Sequence, residues 1–210
     1  MCTLDGRLRR KRRPKTTAIL VLGGLILLAQ TCHASAYMLR YERIENDVLI
    51  TGHGTAACFE PGKLLTAAHN CLNNDTPIDR IFIMVGKDWK PVQVVQMDKD
   101  NDIALIRCDD AKQSTPLGTD PRPKDQFMLI GSKRGTPLKP FKGTVIRAWD
   151  KGFARFLADV EFDHGDSGCP IVMDGKIAGI AVAGLPLDGD IDKTKCLFVP
   201  ATVLRSFLAN

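Results

Sequence analysis

Short runs of apolar residues recur along this chain, and glycine, proline, aspartate and asparagine separate them. They fall at Val48–Thr51, Lys63–Thr66, Arg80–Val85, Val92–Met97, Ile103–Arg107, Phe127–Gly131, Gly143–Ala148, Phe156–Glu161, Ile171–Met173 and Ile177–Ala183. Runs this short, rich in branched and aromatic residues, suit a pleated, half-buried surface better than a helix. Turn residues at such close intervals favour hairpins over long crossovers. The expected fold class is therefore all-β, a barrel or a sandwich. The last segment breaks the pattern. Between Pro200 and Leu208, apolar Val203, Leu204, Phe207 and Leu208 recur with helical spacing, which predicts a short amphipathic helix opened by proline. The polar, proline-bearing stretch Asp110–Lys124 reads as a linker between two halves.

The chain has 210 residues, enough for one domain or two small halves that share a core. Its formal net charge of +5 resides at one end. Residues 1–36 hold seven of the 29 basic residues and one of the 24 acids, which leaves 22 basic against 23 acidic residues elsewhere. The folded part is thus near neutral, and nucleic acid is not an expected partner. Arg7–Lys15 form a basic segment, Ala18–Ala29 an uncharged apolar one, and Ala34-Ser35-Ala36 the small-x-small pattern of a signal-peptidase site. The apolar stretch is shorter than the ~20 residues that span a bilayer. The expectation is a signal peptide over residues 1–36, cut after Ala36, and a secreted or periplasmic product without a membrane partner. An uncleaved anchor is the alternative.

An exported chain meets an oxidising compartment, where some thiols pair. Beyond Cys32 there are five cysteines, Cys58, Cys71, Cys108, Cys169 and Cys196. The odd number leaves at least one without an intrachain partner.

Three stretches carry chemistry. Thr66-Ala67-Ala68-His69 closes an apolar run, Asn101-Asp102-Ile103-Ala104-Leu105 opens another, and Gly165-Asp166-Ser167-Gly168-Cys169-Pro170 forms a turn. Each alone has a structural explanation: a packed histidine, a strand-start cap, a tight bend. Together they place histidine, aspartate and serine in that order in a β-rich chain. A serine hydroxyl needs a neighbouring base to act as nucleophile near neutral pH. Histidine takes that proton and returns it to the leaving group. A carboxylate fixes the imidazole tautomer and stabilises the imidazolium. Glycines beside the serine permit a turn whose backbone N–H groups face a developing oxyanion, each donor worth roughly 2.7–4 kcal/mol.

With these residues in place, the chain from about residue 52 to 208 resembles the trypsin/chymotrypsin-like serine endopeptidases, in a short, bacterial-type form. The resemblance implies a double β-barrel with a short C-terminal α-helix. Residues 37–115 would form the half carrying His69 and Asp102, and residues 116–210 the half carrying Ser167. It implies His69 as general base, Asp102 as its orienter, Ser167 as nucleophile, and the backbone N–H groups of Gly165 and Ser167 as oxyanion donors. It also implies a disulfide between Cys58 and Cys71 flanking the histidine, whereas a Cys169–Cys196 bond is a guess.

The chain departs from that family at several points. Cys169 stands where the family usually has glycine, and Tyr37-Met38-Leu39 lacks the start that trypsin zymogens expose on activation. Asp166, the partner of that new terminus in the family, is expected to be satisfied by local backbone. Alignment from Ser167 brings Glu161 to the pocket floor, where it would favour a basic residue before the cleaved bond. Val182, Ala183 and Gly184 would form the pocket wall, and His164 would lie beside the cleft. The basic stretch carrying Lys133, Arg134, Lys139 and Lys142 is expected to be solvated hairpin surface. His53, His69 and His164 show no ligand spacing, so neither a metal nor a cofactor is expected. The resulting expectation is a monomeric serine endopeptidase acting on protein or peptide substrates. Its alternatives are a catalytically silent binding module of the same fold and a signal-anchored processing protease.

Overall fold

Antiparallel pairing between neighbours in sequence builds the molecule. In the computed structural model, residues 35–45, 47–73, 76–78, 80–149, 155–187 and 190–210 are described. Strand β1 (Ala36–Glu45) and strand β2 (Val48–Glu60) form a long hairpin, paired from Ala36 opposite Ala57 to Glu45 opposite Val48. A turn at Gly62, with φ +82°, leads to β3 (Lys63–Thr66). The short strands β4 (Leu72–Asn73) and β5 (Thr76–Pro77) pair only with each other. The strands β6 (Arg80–Val85), β7 (Asp88–Pro91), β8 (Gln93–Asp98) and β9 (Ile103–Arg107) complete the first sheet, ordered β7-β6-β1-β2-β3-β9-β8.

The second half is a closed barrel. It contains β10 (Gln126–Gly131), β11 (Lys139–Trp149), β12 (Arg155–Asp159), β13 (Pro170–Met173), β14 (Lys176–Leu187) and β15 (Asp190–Pro200), in the order β10-β11-β12-β15-β14-β13. Helix α1 (Ala201–Leu208) follows directly. The all-β class, the two-barrel plan and the terminal helix all agree with the sequence.

Each half has its own core. Leu39, Leu64, Ile81, Ile83 and Ile106 fill the first, and Phe127, Leu129, Ile171 and Phe198 the second, where Phe156 stacks on Phe198 at 5.5 Å. A third cluster joins the halves. Leu65 and Ile103 of the first sheet meet Ile177, Ile180 and Val199 of the barrel and Leu204 and Phe207 of α1. Burying each large side chain of this seam contributes roughly 1.5–3 kcal/mol. The expected helical stripe is the one used: Leu204 and Phe207 are buried, and Val203 and Leu208 pack partly against them. The linker serves both halves. Thr115 N–H donates to the Cys58 carbonyl at 2.9 Å, and Gly118 N–H to the Ile177 carbonyl at 2.7 Å.

Strand β1 has no counterpart among the expected runs. Tyr37, Leu39 and Tyr41 alternate with Met38, Arg40 and Glu42, and Arg40 is covered by rings that are distant in the sequence. Arg40 lies over the rings of Phe82 and Trp89 at 5.0 and 4.7 Å and pairs with Glu42 at 3.3 Å. Residues 1–34 lie outside the described residues, and with them most of the expected export signal. Its last two residues do not. Ala36 begins β1 and is buried, and the Ser35 carbonyl accepts the Cys58 N–H at 2.7 Å. The described fold therefore starts upstream of the expected cut.

Candidate active site

His69 reaches the molecular rim because β3 ends at Thr66 and a single 3-10 turn, Ala68–Cys71, carries the chain outward. Its Nδ1 lies 2.8 Å from Asp102 Oδ2, and its backbone N–H donates to Asp102 Oδ1 at 3.0 Å. Ala68 N–H donates to the Asp102 carbonyl at 3.1 Å. With Nδ1–H directed at the carboxylate, the other ring nitrogen keeps its lone pair for a proton. Asp102 has φ +53°, in the left-handed region. The turn that delivers it is built by Asp98, whose two carboxylate oxygens accept the backbone N–H and side-chain amide of Asn101 at 3.0 and 2.8 Å. Burial works to raise the Asp98 carboxyl, but these bonds hold it below its ordinary value.

Ser167 sits in a turn whose carbonyls are all tied down. Asp166 N–H donates to the Asp163 carbonyl at 3.1 Å, and Cys169 N–H to the Asp166 carbonyl at 3.0 Å. Thr55, on β2, donates its N–H to the Ser167 carbonyl at 2.8 Å and its hydroxyl to the Gly165 carbonyl at 2.9 Å. The Asn70 side chain donates to the Ser167 carbonyl at 3.0 Å and to the Thr66 hydroxyl, also at 3.0 Å. From the other side, Arg134 N–H donates to the His164 carbonyl at 2.6 Å, and Arg134 Nε meets Asp163 Oδ2 at 3.0 Å.

A trans peptide points its N–H opposite its C=O. Fixing the carbonyls of His164 and Asp166 therefore aims the N–H groups of Gly165 and Ser167 the other way, as an oxyanion site requires. Two glycines are needed here. Gly165 (φ +94°) would drive a Cβ into the Ser132 carbonyl, and Gly168 (φ +89°) into the Thr55 carbonyl.

Asp166 is fully buried beneath this turn and accepts the Asp163 N–H at 3.0 Å. Burial pushes its carboxyl up to about 7, against the pull of Lys133. Backbone thus supplies the local partner expected for it. Cys169, 4.0 Å from Asp166 Oδ1, is buried and its thiol is raised well above the ordinary range by desolvation, so it is no thiolate nucleophile.

Two cavities flank Ser167. One, of about 470 Å³, is walled by Phe162, Val182, Ala183, Gly184 and Pro186, with Asp163 and Lys193 at its edge. The other, of about 390 Å³, lies toward Tyr41, His53 and Arg134. His69, His164 and Ser167 border both. Val182, Ala183 and Gly184 thus line the cavity that Ser167 borders.

Several expectations fail. Glu161 is not in the cleft: its side chain is 69% exposed and pairs with Lys133 at 2.6 Å. Counting from Ser167 gives its position in sequence but not the direction of its side chain. Lys133 is not solvated surface either. It lies 4.1 Å over the Phe141 ring, and only 16% of its side chain is exposed. The Cys58–Cys71 and Cys169–Cys196 disulfides are absent, because all four residues are free, buried thiols. Cys58 Sγ turns instead toward the carbonyls of Glu60 and Ala111, at 3.0 and 3.8 Å. Burial raises the Cys58 thiol to about 11 and that of Cys71 to about 12. Thr55, Asn70 and Arg134 were not legible as site residues, since each acts on a turn far away in sequence. The only hint for Arg134 was its place in a basic stretch.

Comparison with known proteins bears on the family and the fold. Residues 54–180 match the trypsin-like peptidase domain. A mitochondrial Do-like protease 3 of Arabidopsis thaliana is 28% identical over 168 residues, 74% of this chain, which spans only 29% of that protein. Among solved structures, the active form of the Rv3671c protease from M. tuberculosis superposes with a TM-score of 0.73 at 17% identity, covering 99% of this chain and 93% of that one. The HtrA-type protease AlgW with a tripeptide gives 0.74 at 20% identity, covering 86% and 61%.

Proposed function

This chain belongs to the trypsin-like peptidase family, and from that premise we propose that it is an exported serine endopeptidase working through Ser167, His69 and Asp102. The observation that carries the reading is the paired grip of Asp102 on His69, 2.8 Å at the ring and 3.0 Å at the backbone, beside a serine turn with its carbonyls already bonded. In the reaction, the lone-pair nitrogen of His69 takes the Ser167 proton as Oγ attacks the scissile carbonyl. The resulting oxyanion receives the N–H groups of Gly165 and Ser167. His69 then protonates the leaving amine, and water repeats the sequence to free the acyl group.

The cavity walled by Phe162, Val182 and Pro186 suits an apolar side chain before the cleaved bond. Glu161, pointing elsewhere, gives no support to a basic one. A library of internally quenched peptides tests both points. Cleavage after apolar residues is expected, lost with Ser167→Ala and reduced on the order of 10⁴ in kcat with Asp102→Asn. Undiminished cleavage by Ser167→Ala would overturn the assignment, and cleavage confined to Lys or Arg would overturn the pocket.

A further inference from the structure

The second cavity beside Ser167 differs in chemistry from the first. Its side chains include Tyr41, His53, Asn70, Arg134 and His164, and no aspartate or glutamate is among the described residues that line it. The first cavity holds the apolar walls, so an acyl group seated there directs the leaving chain across His69 and into the second. His53 is held in place: its ring lies against the backbone of Gly135, where a Cβ would collide with it. Tyr41 closes the floor over Gly52 in the same way, as its cross-strand partner in β1–β2. Arg134 is fixed at its backbone by the His164 carbonyl and at Nε by Asp163, yet 68% of its side chain remains exposed. A guanidinium carries five N–H donors, so donors beyond Nε remain for a ligand. Asp163 is shared with Lys193 at 3.7 Å, so it is not the partner of Arg134 alone; both Asp163 and Lys193 line the first cavity, which leaves Arg134 as the charged side chain of the second.

We propose that this cavity is a leaving-group subsite selecting a side-chain carboxylate, Asp or Glu, in the residue directly after the cleaved bond. The inference rests on the protease reading above and adds the chemistry of the departing half. Arg134 supplies a forked donor at the rim. His53, His164 and Tyr41 supply further polar contacts, and Asp163, the carboxylate that holds Arg134 Nε, lies outside the lining.

The test uses the full chain and C-terminally amidated quenched peptides, identical except for Glu, Gln or Lys after an apolar residue. A kcat/KM ratio of about tenfold for Glu over Lys is expected, with Gln between them, from charge-assisted hydrogen bonding at a partly exposed site. The ratio should shrink as salt is raised, since the rim is solvated. It should also shrink in Arg134→Gln and in His53→Gln, read as the ratio within each variant. That readout separates charge selection from any general loss of rate through the oxyanion turn. Equal rates for the three peptides, or a ratio unchanged in both variants, would overturn the subsite alone. No cleavage of any peptide, together with no labelling of Ser167 by a fluorophosphonate, would overturn the protease reading and the subsite with it.

Discussion

Thr55 does more for the serine turn than any residue inside that turn. It holds the Ser167 carbonyl with its N–H and the Gly165 carbonyl with its hydroxyl. Thr55→Val keeps the shape and the N–H but removes the hydroxyl, leaving the Gly165 carbonyl without that donor. A fall in kcat of about tenfold to a hundredfold is expected, with KM little changed, because the Gly165–Asp166 peptide it fixes lies between the two proposed oxyanion donors, and loosening their positions acts chiefly on the transition state. Steady-state kinetics on one good peptide would check this. Asp166 makes a second prediction. Its folded carboxyl, raised to about 7 by burial, lies above the unfolded value of about 3.9. The fold therefore favours the protonated form. Its stabilising contribution is complete below about pH 4 and is lost as pH rises to about 7. Asp166→Asn removes this titration. The melting temperature of the native protein, relative to the variant, should decline between pH 4 and 7. At this scale His69, Asp102 and Ser167 are legible in the sequence because the roles proposed for them, base, orienter and nucleophile, need particular side chains. Thr55, Asn70 and Arg134 stayed hidden because what matters is which backbone group each reaches across the fold.

Hairpins explain which elements could be read. Strands β3, β6 and β9 carry uninterrupted apolar runs, and the expected spans match them. Strand β1 is not legible in the sequence because its Arg40 is covered by Phe82 of β6 and Trp89 of β7, which are near in the fold and distant in the chain. That strand also gives a direct test of where the folded unit begins. The Ser35 carbonyl bonds Cys58 N–H, and Ala36 packs with Ile130 and Val172 of the second barrel. A chain shortened to start at Ser35 should melt above one starting at Tyr37. One lost hydrogen bond of about 1 kcal/mol alone shifts a domain of this size by about 2–4 °C. Calorimetry of the two proteins would decide it, and equal melting temperatures would show that the first two residues contribute nothing. Disulfides lay beyond the sequence for a similar reason. The count and order of cysteines do not give the direction of each thiol, and Cys58 Sγ turns to backbone carbonyls rather than to Cys71.

The whole molecule is organised so that its candidate site exists only when the halves are docked. His69 and Asp102 come from the first sheet and Ser167 from a turn of the closed barrel. The apolar seam beneath them draws on both halves and on α1, while the buried side chains of Thr55 and Asn70 hydrogen-bond across the halves to the serine turn. Assembly of the candidate site is thereby tied to tertiary packing. The measurement that bears most directly on this account is reaction of the purified full chain with a fluorophosphonate probe, followed by mass mapping of the adduct. The account predicts a single adduct on Ser167, absent in Ser167→Ala and strongly reduced in His69→Ala. A folded protein that takes no label, or whose labelling survives Ser167→Ala, would contradict it.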